Sequence, residues 1–263
     1  AARLTRNAPQ LESMMDTAMH TSTDTARIQA LDNAHFLHPF TDFKDLSSRG
    51  ARVMTRGEGI YVWDSEGIKV LDAMSGLWCV NVGYGRRELA DAAHHQMMTL
   101  PYYNSFFQTT NVPAVTLAAK LAELAPSVGD RSFQHVFYSS SGSESNDSNV
   151  RMVRRYWDVL GEPERDIIIS RHNAYHGSTM AGASLGGMAG MHAQGGLPIP
   201  GIVHIPQPYW WDHGRHQGLS REQFGLIAAS WLEDRIIELG PHRVAAFIGG
   251  SPISVEPKPS VMP

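Results

Sequence analysis

The chain has 263 residues, 42% of them hydrophobic, a formal net charge of −4 and one cysteine, Cys79; a chain of that length can bury a substantial core. Its only adjacent basic pairs are Arg86–Arg87 and Arg154–Arg155, so no basic patch invites a nucleic acid. One cysteine excludes an internal disulfide, no apolar run approaches the ~20 residues of a membrane span, and no leader pattern opens the chain, so a cytoplasmic protein without nucleic-acid or membrane partners is expected.

Residues 1 to about 25 are polar and aperiodic, and Met14 or Met15 is a candidate natural start. From Arg52 apolar and polar residues alternate around two turn signals, Arg56–Gly59 and Asp64–Gly67, which predicts a small antiparallel meander. Strands and helices then alternate. Helical spacing over Arg86–Leu100 places Leu89, Ala92, Ala93 and Gln96–Met97 on one face, and Pro101 stops it. Val112–Ala125 repeats the theme before Pro126. The run "FQHVFYS" predicts a short strand, and Ser143–Leu160 a helix with Val150, Val153 and Trp157 on its apolar stripe. Strands follow at "DIIIS" and "GIVHIP". A helix over Glu222–Leu239 carries Phe224, Ile227, Ala228, Trp231 and Leu232 on one face, and "RVAAFIG" is the last strand. Such alternation predicts an α/β fold with a mostly parallel sheet.

Ligands of such sheets bind at the carboxyl ends of the strands. Two loops there carry unusual residues. The first, Ser139–Ser143, leads into a helix start where Gly142 lets the backbone approach an anion. The N–H groups of Gly142, Ser143 and Glu144 would face that anion, and Ser143 adds a hydroxyl. No lysine follows as in a P-loop, and an ordinary capped loop fits the same residues. The second loop, "RHNAYHGSTMAGASLGG", places Tyr175 and His176 before a turn and a helix start. His172 and His176 are four apart, but Asn173 and Gly177 mark a loop and no third ligand is evident, so no metal is expected. A planar cofactor stacked on Tyr175, with its phosphate at Ser143, would use both loops.

The motifs "GLWCVNVGYGR", "SSGSES", "RMVRRYW" and "YHGSTMAGASLGGM", in this order and spacing, resemble those of the class III aminotransferases, most of all the omega (amine:pyruvate) transaminases. The resemblance runs from about Phe36 to Gly249. It implies fold type I of the pyridoxal 5′-phosphate (PLP) enzymes, with residues 76–249 in the large domain, residues 1–75 contributing to a smaller one and 250–263 an irregular tail. It implies a homodimer or tetramer that moves an amino group from a primary amine to pyruvate. Ser141, Gly142 and Ser143 match the family's phosphate cup, and Tyr175, with His176 beside it, the ring-stacking position. Phe40, Trp78 and Phe106 match substrate-pocket walls. Taurine- and polyamine-directed relatives share many of these motifs, and another PLP enzyme of the same fold, such as an aminomutase or a decarboxylase, is an alternative reading.

The family's Schiff-base lysine lies downstream of "AAFIG". None of Lys44, Lys69, Lys120 or Lys258 matches it. The tail "SPISVEPKPSVMP" departs from the family's Glu-Pro and Gly-rich continuation, so the chain as printed reads as truncated or altered after Gly249, and an inactive remnant is the further alternative.

Overall fold

The computed structural model describes residues 24–127 and 132–250. The chain divides into two compact units, residues 1–114 and 115–263. Residues 1–23, including Met14 and Met15, and residues 251–263 of the tail lie outside the described residues.

In the first unit, α1 (Thr25–His35) begins at Asp24, whose side chain accepts from Arg27 N, and α2 (Phe43–Arg49) begins at Asp42, which accepts from Lys44 N and Asp45 N. These caps satisfy donors that a helix start leaves without intrahelical partners. The predicted meander is present as β1 (Met54–Glu58), β2 (Tyr61–Asp64) and β3 (Lys69–Leu71), paired antiparallel in chain order. Its corner is held by Asp64, a buried carboxylate. Asp64 accepts from Arg52 Nε at 2.8 Å, from Ile68 N at 2.8 Å and from Glu66 N at 3.1 Å.

After β3 the backbone does what no local pattern announced. Ser75, Gly76, Leu77 and Trp78 take φ of 49°, 58°, 63° and 65° in succession, a left-handed turn that costs L-residues roughly 1–2 kcal/mol each. Asp72 holds it, accepting from Gly76 N at 2.7 Å and Met74 N at 3.2 Å while Tyr84 donates to it at 2.7 Å. Helix α3 (Arg87–Thr99) follows as expected, but Leu89 and Met97 of its apolar face are exposed. Helix α4 (Val112–Leu124) crosses the boundary between the units.

The second unit holds the core. Its sheet is parallel, in the order β5 (Ile202–Ile205), β4 (Ile167–Arg171), β6 (Val244–Phe247). Central β4 has both neighbours, and Ile167, Ile168, Ile169 and Ser170 are all buried. That is why its sequence is a continuous apolar run rather than an alternating one. Ile168 packs with Val150 of α5 (Gly142–Val159) and with Ala181 and Leu185 of α6 (Met180–Leu185), and Val153 joins them. Trp157 ends the stripe with its indole N–H on Ala245 O at 3.0 Å. On the other side Ile167, Ile169 and Ile205 pack with Leu232, Ile236 and Leu239 of α7 (Arg221–Leu239).

Two expectations need correction. Residues 133–139 form no strand, because no strand among the described residues lies against them. A β-forming sequence becomes a strand only where a neighbour completes its ladder. Ile227 is exposed, whereas Phe224 and Ala228 are buried. At about 100° per residue, the core-facing stripe through 224, 228, 232 and 239 leaves position 227 on the flank.

Candidate functional site

The start of α5 is built by short polar residues. Ser141 is the N-cap, and its Oγ accepts from Glu144 N at 3.2 Å. Glu144 turns back and accepts from Ser140 N at 2.8 Å. The three-donor cradle expected from the sequence is therefore reduced to two. Glu144 N–H is consumed by the cap, and among the described residues the amides of Gly142 and Ser143 have no hydrogen-bond partner. A Cβ at Gly142 would meet no heavy atom within 4 Å, so the space beside Gly142 is open. Two such N–H groups at the positive end of an 18-residue helix are a ready anion site.

The segment after β4 is drawn against this helix start. Ser178 N donates to Ser143 Oγ at 3.0 Å, which leaves the Ser143 hydroxyl proton available to a further acceptor. The approach is close enough that a Cβ on Gly177 would lie 2.6 Å from Ser143 Oγ and 2.8 Å from its Cα. Gly177 also has φ +126°. Only glycine meets both demands.

Tyr175 and His176 thus stand next to the turn that touches Ser143. The Tyr175 side of the loop is exposed, and His176 is half-buried. His176 Nε2 is buried without a hydrogen-bond partner, an arrangement that leaves a polar atom waiting for one. Burial, reinforced by His204 and Arg171, pushes its pKa below the ordinary value. Behind it His204 stacks on His172 at 5.5 Å between ring centroids and meets His192 edge-on at 5.0 Å. His204 Nε2 sits 2.8 Å from Gly186 O and His192 Nε2 3.1 Å from Ala183 O. The His204 pKa is lowered too, first by burial. Among the described residues no group of three His, Cys, Asp or Glu is arranged to hold a metal ion.

The structure therefore brings Ser141, Gly142, Ser143, Tyr175 and His176 together in the second unit. Phe40, Trp78 and Phe106 belong to the first, where Phe40 (φ 48°) and Trp78 (φ 65°) sit on left-handed backbone and all three side chains are exposed. Lys44, Lys69 and Lys120 are exposed. Lys69 Nζ lies 3.9 Å from the Tyr61 ring centroid, and Lys120 pairs with Glu123 at 2.9 Å. Lys258 lies outside the described residues.

Sequence reasoning missed Asn146 and Asp147. Asn146 Nδ2 donates to His176 O at 2.7 Å, and Asp147 Oδ1 accepts from Thr179 Oγ1 at 2.6 Å and Gly182 N at 3.0 Å. The available signal was phase: Ser143, Asn146 and Asp147 continue the stripe of Val150, Val153 and Trp157 toward the helix start. Polar residues in phase with a buried stripe need partners.

The family model "Aminotransferase class-III" matches residues 46–254. A putrescine–pyruvate aminotransferase of Pseudomonas aeruginosa is 55% identical over 228 residues, covering 87% of this chain and 49% of the relative. A diaminobutyrate–2-oxoglutarate transaminase of Halomonas elongata is 38% identical over 81% of this chain and 45% of the relative. Among solved structures, an (S)-enantioselective omega-transaminase from Thermomicrobium roseum superposes with a TM-score of 0.79 at 41% identity, over 86% of this chain and 49% of that one. The omega-transaminase of Pseudomonas jessenii in complex with PMP gives 0.80 at 39% identity, over 84% and 48%. The chain spans about half the length of the relatives it matches.

Proposed function

The chain belongs to the class-III aminotransferases, PLP-dependent enzymes with the α/β architecture of fold type I, and from that premise we propose that the protein transfers an amino group from a primary amine to pyruvate. The observation that carries the reading is the start of α5: two unclaimed backbone N–H groups beside an open Gly142, with the Tyr175–His176 loop hydrogen-bonded to the same turn. These residues fit the cofactor. Gly142 and Ser143 receive its phosphate through their amides, assisted by the Ser143 hydroxyl and the helix dipole. Ser141 shapes the cup by capping α5. Tyr175 offers its exposed face to the ring. His176, its pKa lowered by burial, holds a buried, unpartnered Nε2 in the neighbouring position of the loop.

Bound PLP acts as an electron sink that lets an amino group pass between an amine and a keto acid. The protein's part is orientation, exclusion of water and selection of the amine. Phe40, Trp78 and Phe106 are assigned as apolar walls for the alkyl or arylalkyl part of the donor, a role aromatic rings serve without a carboxylate partner. The name of the 55% identical relative supports pyruvate as acceptor and an alkyl amine as donor. On this reading residues 1–75 contribute to the smaller domain, 76–249 to the large one, and the protein works as a cytoplasmic homodimer. Among the described residues no helix is long and apolar enough to cross a membrane.

The test titrates the 263-residue chain with PLP, with pyridoxal lacking the phosphate, and with inorganic phosphate as competitor. Saturable PLP binding is expected, displaced by inorganic phosphate, with pyridoxal at least about tenfold weaker because it lacks the charge-assisted contacts. Equal affinity for pyridoxal would refute the phosphate site. The acceptor is tested in a chain that carries the family's downstream Schiff-base lysine, where alanine formed from pyruvate is compared with glutamate formed from 2-oxoglutarate; a preference for 2-oxoglutarate removes pyruvate.

A further inference from the structure

Three polar side chains of α5, at positions i, i+3 and i+4, each hold the segment that follows β4. Ser143 Oγ accepts from Ser178 N at 3.0 Å. Asn146 Nδ2 donates to His176 O at 2.7 Å. Asp147 Oδ1 accepts two bonds, from Thr179 Oγ1 at 2.6 Å and from Gly182 N at 3.0 Å. Thr179 is the N-cap residue of α6 and makes no side-chain cap bond of its own. The donor three residues along, Gly182 N–H, is satisfied by Asp147 from another helix. The start of α6 is thereby capped from α5, and the loop bearing Tyr175 and His176 is tied at its carbonyl, its turn and its exit. Its entry is fixed by β4, the central strand of the sheet.

We infer that Asn146 and Asp147 are positioning residues: they hold the Tyr175–His176 loop in register with the amides of Gly142 and Ser143, so that one ligand is gripped by its phosphate and its ring together. The inference rests on the proposed phosphate site. The helix start by itself binds an anion through backbone N–H groups, and the loop by itself offers a ring face. Only the clasp makes the two a single site, by removing the freedom the loop would otherwise have to lose on binding. A ligand with both ends must feel the clasp, and inorganic phosphate must not.

The experiment uses the 263-residue chain and its Asp147→Ala, Asp147→Asn and Thr179→Val variants. Hydrogen exchange is followed over residues 175–182 without ligand, and equilibrium binding is measured for PLP and for inorganic phosphate. Asp147→Ala is expected to speed exchange at Gly182 and its neighbours and to weaken PLP by about tenfold, as loss of bonds to a charged acceptor implies. Its affinity for inorganic phosphate should stay within about twofold of the parent's, since the amides of Gly142 and Ser143 are unchanged. Asp147→Asn keeps an acceptor oxygen in the same place and should restore both readouts. Thr179→Val removes one of the two bonds with little change of shape, falls between them, and carries the comparison if Asp147→Ala does not fold. Faster exchange with unchanged PLP affinity would overturn the inference, because the clasp would then be structural only. Unchanged exchange would overturn it by showing that the loop is held by something else. Equal loss in Asp147→Asn and Asp147→Ala would overturn it in favour of the charge. Failure of the parent chain to bind PLP, with exchange responding as expected, would instead sink the phosphate-site reading and this inference with it.

Discussion

Replacing Gly177 by alanine tests how closely the loop must approach α5. The added Cβ would lie 2.6 Å from Ser143 Oγ, 2.8 Å from Ser143 Cα and 3.0 Å from its Cβ. The hydroxyl could rotate away, but the Cα belongs to the helix backbone and cannot. Overpacking of this kind costs roughly 1–3 kcal/mol, and an L-residue at φ +126° adds about 1–3 kcal/mol of strain. The loop can relieve part of both by lifting, at the loss of the Ser178 N–Ser143 Oγ bond, itself about 1 kcal/mol. A net destabilisation of about 3 kcal/mol is expected, a large share of a stability of roughly 5–15 kcal/mol. Urea unfolding followed by far-UV circular dichroism measures it. Gly142→Ala is the internal control, because its Cβ meets nothing within 4 Å and alanine favours a helix by up to about 1 kcal/mol. That variant should be at least as stable as the parent while binding PLP more weakly. If Gly177→Ala shifts stability by less than about 0.5 kcal/mol, the close approach of loop and helix is wrong.

Tyr175→Ala should leave the fold intact, since the side chain is exposed, and weaken PLP by about 1 kcal/mol, the scale of a ring contact; unchanged affinity removes Tyr175 from the site. Asp64→Ala strips Arg52, Glu66 and Ile68 of a shared acceptor and should cost about 2 kcal/mol, with Asp64→Asn milder in the same urea assay; equal loss in the two would show that charge rather than hydrogen bonding matters. His176 and His204 both have folded-state pKa values below the ordinary 6.5, pushed down first by burial. Their contribution is complete above pH 6.5 and declines as the pH falls through the folded values, because the unfolded chain takes up protons first. The urea midpoint should therefore fall from pH 7 toward pH 5, and His204→Gln should flatten the decline; an unchanged slope contradicts the buried imidazoles.

Local pattern was enough wherever a residue's neighbours in sequence decide its surroundings. The two turn signals around "IYVW" specified the meander. The run of isoleucines in "DIIIS" announced a strand. The spacing of Val150, Val153 and Trp157 marked the inner face of α5, and the small residues around Gly142 marked its start. These are rules of period two, period 3.6 and helix capping, and they act over a few residues.

The tertiary structure decided what depends on partners far along the chain. Residues 133–139 have a strand's composition, yet no strand among the described residues completes a ladder with them. Ile227 has the spacing of a core residue, but the sheet lies against the other flank of α7. The left-handed run at Ser75–Trp78 persists because Asp72 accepts from its backbone and from Tyr84, groups that no local propensity brings together. Asn146 and Asp147 read in sequence as ordinary polar residues of a second helical turn. Their hydrogen bonds run to His176, Thr179 and Gly182, between 30 and 35 positions away, and such pairings exist only once β4 has carried the chain back beside α5. Residue types and their period thus set the helices, the strands and the anion-binding helix start, while the return of the chain through the sheet turned two separate loops into one site.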